Sequence, residues 1–202
     1  MKYINQIIII LLFGIVCLNS YSEEVEIQSS DMDVTNNGNL IIANDAEIII
    51  PTENINVTSD LANYEKIKNI ITFITNVFFE DKKNEVIIKG DLVNYLRDKN
   101  LIYSEGKTNL KIENKYKVNS ENIYYDRNSN RIYSYKQTLI EDNENNFYIL
   151  NNGFSFNISD RLIKSKKSII VDNNSNTYIF ENLFLNVNTK EIVGNELKVE
   201  FE

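Results

Sequence analysis

The chain has 202 residues, with 21 Lys or Arg against 29 Asp or Glu, no His and a single Cys, and its formal net charge is −8. A negative charge spread singly along the chain disfavours binding to nucleic acid or to anionic membrane surfaces. Without His, and with Cys17 placed in a predicted leader, catalytic triads, thiol catalysis and the usual zinc sites are excluded. We therefore predict no catalytic residue, no metal site and no cofactor, and the chain is not expected to be an enzyme.

The first 22 residues have the pattern of a secretory signal peptide. A short basic start precedes an apolar run from Ile7 to Cys17 that only Gly14 interrupts, and small residues lead to a predicted cleavage site after Ser22. The run is shorter than the ~20 apolar residues that a membrane span needs. An uncleaved membrane anchor is the alternative. Cleavage would leave residues 23–202, a size typical of one domain.

From Ser30 to the last residue, the sequence repeats about every 30 residues. Each unit opens with a pair of small, polar or acidic residues, at Ser30-Asp31, Ser59-Asp60, Gly90-Asp91, Ser120-Glu121, Asn151-Asn152 and Glu181-Asn182. Eleven positions after the second member of each pair stand Ile42, Ile71, Ile102, Ile132, Ile163 and Val193, and nineteen positions after it stand Ile50, Phe79, Leu110, Ile140, Val171 and Phe201. Such a period indicates stacked units that bury their apolar faces only against their neighbours. We therefore expect function along an extended surface or groove.

Within each unit the pattern predicts strands. Runs of Val, Ile, Phe and Tyr alternate with Asn-rich turns at 36–39, 82–84, 128–130, 142–146, 173–176 and 186–189. Asn tolerates the left-handed backbone of hairpin turns. A unit is predicted to hold a short, a long and a third strand, as Leu61–Tyr64, Ile70–Phe79 and Glu85–Lys89 do in the second unit. With one Pro and six Gly in the chain, we predict an all-β fold, a curled antiparallel β-jellyroll with a continuous apolar interior.

Period-two alternation assigns an inner face to these strands. The residues assigned to it are Ala62/Tyr64, Val93/Tyr95, Ile123/Tyr125 and Phe154/Phe156 at the start of units, and Val77/Phe79, Ile169/Val171 and Val199/Phe201 further along. Thr108 and Thr138 interrupt this stripe, either as inner-face hydroxyls or through a one-residue register error. In the last unit, Leu183, Leu185 and Val187 compete with Phe184 for the inner face.

The charged residues near the turns are interpreted as solvated. Glu80-Asp81 and Glu141-Asp142 stand at predicted strand ends beside turns, where exposed charge is common. Asp126-Arg127 and Asp160-Arg161 are interpreted as turns.

Three stretches carry a resemblance to a known family. They are Asn39–Ala46 (NLIIANDA), Asn100–Gly106 (NLIYSEG) and Asn122–Ile132 (NIYYDRNSNRI). Their order of acidic residue, short strand, Asn turn and apolar strand resembles the OstA-like domain of lipopolysaccharide transport, found in LptA and at the N-terminus of LptD. The resemblance covers nearly all of residues 25–202, and the LptD-type N-terminal region is favoured over LptA.

The resemblance implies a β-jellyroll with a V-shaped groove through which lipopolysaccharide acyl chains slide. It implies a periplasmic location associated with the outer membrane, pairing of edge strands with other Lpt jellyroll proteins, and contact with outer-membrane assembly components. The candidate lipid-facing residues are Ile71, Phe73, Phe79, Ile102, Tyr125, Phe154, Phe156 and Val171. The chain ends within a predicted strand, so it is either an LptA-like bridge ending in a docking strand or the N-terminal part of an LptD-type protein whose barrel is missing.

Three other interpretations stay open. The apolar stripe is also what the core of any packed sheet requires. If the leader is retained, the chain would be an LptC-like protein anchored in the inner membrane. A β-solenoid that binds or cleaves surface polysaccharide would instead need stacked aromatic residues or acid–base pairs on its outer face.

Overall fold

The computed structural model describes residues 25–113 and 115–200, and these form one antiparallel β-sheet of 18 strands. The described residues contain no α-helix, so the predicted all-β antiparallel fold is confirmed. None of their helices, all short 3-10 turns, is long and apolar enough to cross a membrane. The predicted signal peptide and Phe201 lie outside the described residues.

The strands follow one another along the chain with short connections. In the first half they are β1 (Glu26–Gln28), β2 (Asp31–Thr35), β3 (Leu40–Ile50), β4 (Ile55–Glu65), β5 (Ile70–Asp81), β6 (Val86–Leu96), β7 (Leu101–Glu105), β8 (Lys107–Ile112) and β9 (Tyr116–Glu121). In the second half they are β10 (Tyr124–Asp126), β11 (Arg131–Ser134), β12 (Thr138–Asp142), β13 (Phe147–Leu150), β14 (Phe154–Asn157), β15 (Leu162–Val171), β16 (Thr177–Asn186), β17 (Ile192–Asn195) and β18 (Lys198–Glu200). The 3-10 turns are Asn36–Gly38, Pro51–Glu53 and Arg97–Lys99.

The sheet folds back on itself into two facing walls, because its long strands pair with different neighbours on either side of a central bend. Wall A contains β2, residues 40–44 of β3, 61–65 of β4, 70–74 of β5 and 92–96 of β6, then β7, β10, β11, β14, residues 162–165 of β15, 182–185 of β16, and β17. Wall B contains β1, residues 46–50 of β3, 55–58 of β4, 77–81 of β5 and 86–89 of β6, then β8, β9, β12, β13, residues 168–171 of β15, 177–180 of β16, and β18. At the end farthest from the bend, each wall is closed by hairpin turns. The turns of wall A and those of wall B face each other along one line, and we call this line the mouth.

Residues with a left-handed backbone mark the bend. Asp45, Asn76, Gly106, Asn122 and Lys167 lie between the two walls with φ of 48°, 54°, 76°, 53° and 52°. The strand registers also shift there, between 58 and 61 of β4 and between 74 and 77 of β5. Such bulges bend a strand and increase its twist, which lets a long strand turn from one wall into the other.

The repeat units differ from the predicted three-strand pattern in where their strands begin. The predicted short strand Leu61–Tyr64 is the second half of β4, and the predicted third strand Glu85–Lys89 is replaced by the first half of β6. The unit openings at Ser59-Asp60 and Gly90-Asp91 therefore lie at bends inside long strands.

Most of the residues that the sequence assigned to the inner face are buried between the two walls. Both threonines that interrupt the stripe are buried hydroxyls, since Thr108 bonds Ser104 at 2.7 Å and Thr138 bonds Ser120 at 2.8 Å. In the last unit the inner residues are Leu183, Leu185 and Val187, whereas Phe184 is exposed.

The assignment of Ile169 and Val171 to the inner face is wrong, because the alternation is shifted by one residue there. Ser168 and Ile170 are the buried residues of this part of β15. The bend of β5 contains two left-handed residues, Thr75 and Asn76, whereas the bend of β15 contains only one. One residue fewer reverses the side on which every later residue lies. Val193 is also exposed, in contrast to the other members of its repeat position.

Candidate functional site: the apolar interior and its open end

Most of the predicted lipid-facing residues lie together between the two walls. Ile71, Phe73, Phe79, Ile102, Tyr125, Phe154 and Phe156 are 0–4% exposed and belong to one apolar cluster. Val171, the eighth candidate, is half-buried outside this cluster, for the reason of register given above. Contact of any of these side chains with a lipid stays a prediction.

In the middle of the molecule, the side chains of the two walls fill the interior. The rings of Phe79 on wall B and Tyr95 on wall A meet edge to face, with 6.4 Å between their centroids. A space beside Phe154 and Phe156 measures only about 10 Å³, which is close to the least volume that holds one water. An acyl chain therefore cannot occupy the middle of the interior unless the walls separate.

Buried ionic groups join the two walls at the mouth. We call Glu53 and Asp81 of wall B, together with Arg97 and Arg127 of wall A, the polar latch. Arg97 donates to Glu53 at 3.1 Å, and Arg127 donates to Glu53 and to Asp81 at 2.8 Å each. The Arg127 guanidinium also donates to the main-chain oxygen of Glu53 at 2.8 Å. All three ion pairs cross from one wall to the other.

The Asp81 carboxylate has partners on every side. It accepts hydrogen bonds from the Asn84 amide side chain at 2.9 Å and from the Tyr125 hydroxyl at 2.8 Å, besides that from Arg127. Burial by itself would raise its pKa, but the bonds from Asn84 and Tyr125 and the charge of Arg127 hold the pKa below its ordinary value. Burial would in turn lower the pKa of Arg127, yet Asp81 raises it. Asp81 and Arg127 are therefore both charged in the folded protein.

The sequence interpretation of these charges is wrong for Asp81 and incomplete for Arg127. Asp81 is 0% exposed rather than solvated, and Arg127 lies in a turn but points its guanidinium into the mouth. One signal was present in the sequence. The chain has only four Arg, and Arg97 and Arg127 stand one repeat period apart at equivalent turn positions.

Further along the mouth, the equivalent turn positions are apolar. Ile158 and Val187 are buried there and make the same main-chain hydrogen bond as Arg97 and Arg127. The hydroxyl of Tyr116 on wall B donates to the Val187 main-chain oxygen at 3.0 Å. Ion pairs of Arg161 with Glu113 and of Lys190 with Glu144 also cross the mouth, the second of them exposed to solvent.

The interior opens at the C-terminal end into a groove of about 570 Å³. The residues that line it are mostly apolar or aromatic, and include Tyr148, Ile170, Tyr178, Phe180, Ile192, Val193 and Leu197. The hydroxyls of Tyr148 and Tyr178 point to the turns, where they donate to Asp142 at 2.9 Å and to Asp172 at 3.2 Å. Their rings are therefore left to form an apolar wall. We call this space the C-terminal groove; the candidate residues from the sequence did not include it.

Both ends of the sheet present free strand edges. Among the described residues, β1 and β2 pair only with β3, and β17 and β18 pair only with β16. The outward N–H and C=O groups of an edge strand can pair with a strand from another chain.

These features define the class of the protein as a two-walled antiparallel β-sheet protein. Its apolar interior is latched at the mouth and open at the C-terminal end, and its sheet has free edges at both ends.

Comparisons with known proteins add little to this description. No protein-family model matches the sequence, and a search among curated proteins gives no match. The chain is similar to the solved structure of LptH, the LptA-homologous periplasmic component of the conserved lipopolysaccharide transport device from Pseudomonas aeruginosa. The similarity has a TM-score of 0.32 and 12% identity, and covers 71% of this chain and 82% of LptH. A likeness at this level carries neither family nor function over to this chain.

Proposed function

We propose that the protein is a periplasmic lipopolysaccharide-transport module that shields lipid acyl chains and passes them towards the outer membrane. The observation that carries the proposal is the C-terminal groove, where the apolar interior of the sheet meets solvent. A lipid that crosses water must keep its tails covered, and each buried methylene contributes ~0.8 kcal/mol. A groove with few fixed polar partners provides such cover and still allows the acyl chain to move along it.

An acyl chain enters at the C-terminal groove in this proposal. Ile192, Val193 and Leu197 are exposed at its rim, so a tail can reach Phe180 and Ile170 without disturbing the closed middle. Movement beyond that point requires the walls to separate at the mouth. The acyl chain then passes along the predicted lipid-facing residues, from Phe156 back to Phe79.

The free edges suit assembly with partner jellyroll proteins. Strands added to both β1 and β2 at one end, or to both β17 and β18 at the other, would continue both walls into the next molecule. The exposed apolar side chains of Met32 and Val34 on β2 favour contact at the N-terminal edge. Outer-membrane assembly components are the expected partners of an LptD-type protein, and the resemblance of Asn39–Ala46 to that family supports this placement.

In-cell photocrosslinking tests the proposal directly. A photoreactive residue at Ile192 reports on the C-terminal groove, probes at Phe79 and Phe156 report on the closed middle, and Lys117 on the outer face of wall B is the control. We expect lipopolysaccharide adducts at Ile192 and, at lower yield, at the two interior sites. Adducts that form equally well at Lys117, or none at Ile192 in a folded protein, would overturn it.

A further inference from the structure

A cross-strand row of aromatic and basic side chains runs over the outer face of wall A, on the opposite side from the interior. The register places Tyr103, Tyr124, Tyr133, Ser155, Lys164 and Phe184 opposite one another on six neighbouring strands. Tyr103 and Tyr124 stack at 6.1 Å between ring centroids, and Tyr124 and Tyr133 stack at 5.1 Å. Tyr135, which is 74% exposed, packs edge-on against Tyr133 at 5.5 Å.

The small side chain of Ser155 interrupts this row and leaves a slot of about 330 Å³ above it. Two cations converge on the slot from opposite sides. The Arg131 guanidinium lies 4.9 Å above the centre of the Tyr133 ring and donates to the Ser155 hydroxyl at 2.7 Å. The Lys164 ammonium lies 5.9 Å from the centre of the Phe184 ring. The aromatic rings thus hold both cations beside the floor of the slot.

The charge of the slot is opposite to that of the whole chain. Lys166 also lines it, and no Asp or Glu is among the described residues that do, although the chain has a net charge of −8. Asp126 pairs with Arg131 across the strands, but its carboxylate accepts hydrogen bonds from Asn128 and Ser129 of its own turn. The slot therefore favours an anion.

We propose that this outer slot binds an anionic saccharide, that is, a sugar chain carrying phosphate or carboxylate groups. Arg131 and Lys164 would bind the anionic group, Asn152 and Asn182 at the rim of the slot offer amides to sugar hydroxyls, and the exposed Tyr135 ring offers an apolar surface to the C–H face of a sugar ring. A long polyanion such as nucleic acid is disfavoured by the repulsion of the remaining negative surface. The inference does not depend on the proposed lipid transport, because the slot and the interior are on opposite faces of wall A.

Titration calorimetry with the full mature chain tests this inference. The probes are a monophosphorylated maltohexaose, a hexagalacturonate, uncharged maltohexaose, the hexanucleotide dT6 and hexaglutamate. We expect both charged saccharides to bind and the uncharged one to bind about tenfold more weakly or not at all, because charged hydrogen bonds carry the affinity. The preference between the phosphate and the carboxylate probe distinguishes a phosphorylated glycolipid head from a uronic-acid polysaccharide as the natural source.

Matched variants assign the binding to the slot. The double variant Arg131→Gln/Lys164→Gln is expected to weaken binding about tenfold or more, and Ser155→Phe to block it by filling the floor. Lys117→Gln on the outer face of wall B is expected to leave binding unchanged, and circular dichroism shows that each variant is folded. Equal binding by the folded double variant, tighter binding of dT6 or hexaglutamate at these residues, or no binding of either charged saccharide would overturn the inference.

Discussion

At the scale of single residues, the buried ion pairs of the polar latch are the most sensitive point of the structure. Arg127 is the partner of both Asp81 and Glu53. Replacing it with Met keeps most of the volume but leaves the Asp81 carboxylate buried without its cation. Breaking one partner of a buried pair costs ~3–5 kcal/mol, and we expect Arg127→Met to lower the free energy of unfolding by about that amount.

Equilibrium urea unfolding measures this effect, and Arg131→Met is its control. Arg131 lies on the outer face of wall A, where an exposed polar contact contributes less than ~1 kcal/mol. A loss of stability that is the same in the two variants would mean that the latch contributes nothing beyond an ordinary surface arginine.

The same carboxylate gives the protein an acid-sensitive stability. The pKa of Asp81 is lower in the folded state than its ordinary value of 3.8, because its hydrogen bonds and Arg127 outweigh the effect of burial. A lowered pKa means that the unfolded chain binds more protons near that pH, so stability falls as the pH falls. We expect the contribution of Asp81 to be complete above about pH 4 and to be lost as the pH falls through the folded pKa.

Unfolding by urea between pH 7 and pH 2.5 tests this prediction. Asp81→Asn should lower stability at neutral pH and flatten its decline in acid. Asp142, whose pKa is also lowered although burial acts against this, leaves part of the slope in place. An Asp81→Asn protein with the wild-type slope would contradict the prediction.

At the scale of strands and turns, the turns and the bend require backbone conformations that only some residues adopt. Gly153 has φ of +77°, and a Cβ at this position would lie 2.1 Å from the Ser134 main-chain oxygen. Gly38 has φ of +86° but open space around it. Gly38→Ala should therefore cost ~1–2 kcal/mol from the left-handed backbone alone, and Gly153→Ala clearly more, because it adds a backbone clash between β14 and the end of β11.

Thermal unfolding of both variants gives the comparison. Both variants carry the strain of an Ala in a left-handed conformation. The difference between their melting temperatures therefore measures the cost of the clash between residue 153 and the segment around Ser134. Equal melting temperatures for the two variants would mean that the segment around Ser134 moves aside at little cost.

The local sequence pattern alone predicted which residues are buried in some strands but not in others. Period-two alternation placed Val93/Tyr95 and Ile123/Tyr125 in the interior, because side chains along one strand alternate strictly between its faces. The same rule failed at Ile169 and Val171, since the number of residues in a bend is set by how the two walls meet. The latch was missed for a similar reason: Glu53 and Arg127 are 74 residues apart, and only the folding of the sheet brings them together.

At the scale of the whole molecule, the two ends offer a matched pair of substitutions. Ile192 lies on an edge strand at the C-terminal groove, opposite the buried Leu185, and is 42% exposed. Val34 lies on an edge strand at the N-terminal end and is 57% exposed. An Asp at position 192 would place a charge in the apolar groove. We expect Ile192→Asp to weaken the binding of a dansyl-labelled fatty acid about tenfold, which corresponds to ~1.4 kcal/mol.

Val34→Asp, at the opposite end of the sheet and outside the groove, is the control for this measurement, and it should bind the fatty acid as the wild type does. Both variants should remain folded, because an exposed substitution away from the core usually changes stability by less than ~0.5 kcal/mol. Equal weakening by both would mean that the fatty acid binds to edge strands in general and not in the groove.

In the proposed transport of lipid, the closed middle and the open end together would make the latch a control point for movement of the lipid. Arg97→Gln removes one of the two cations from Glu53 and leaves the Asp81–Arg127 pair in place, so the mouth should loosen while the fold stays intact. Photocrosslinking from Phe79 relative to Ile192 then reports how far the lipid travels. We expect this ratio to rise in Arg97→Gln, because less energy is needed to separate the walls. An unchanged ratio, with adducts still formed at Ile192, would mean that the lipid reaches the middle by sliding in from the C-terminal end and that the mouth stays shut.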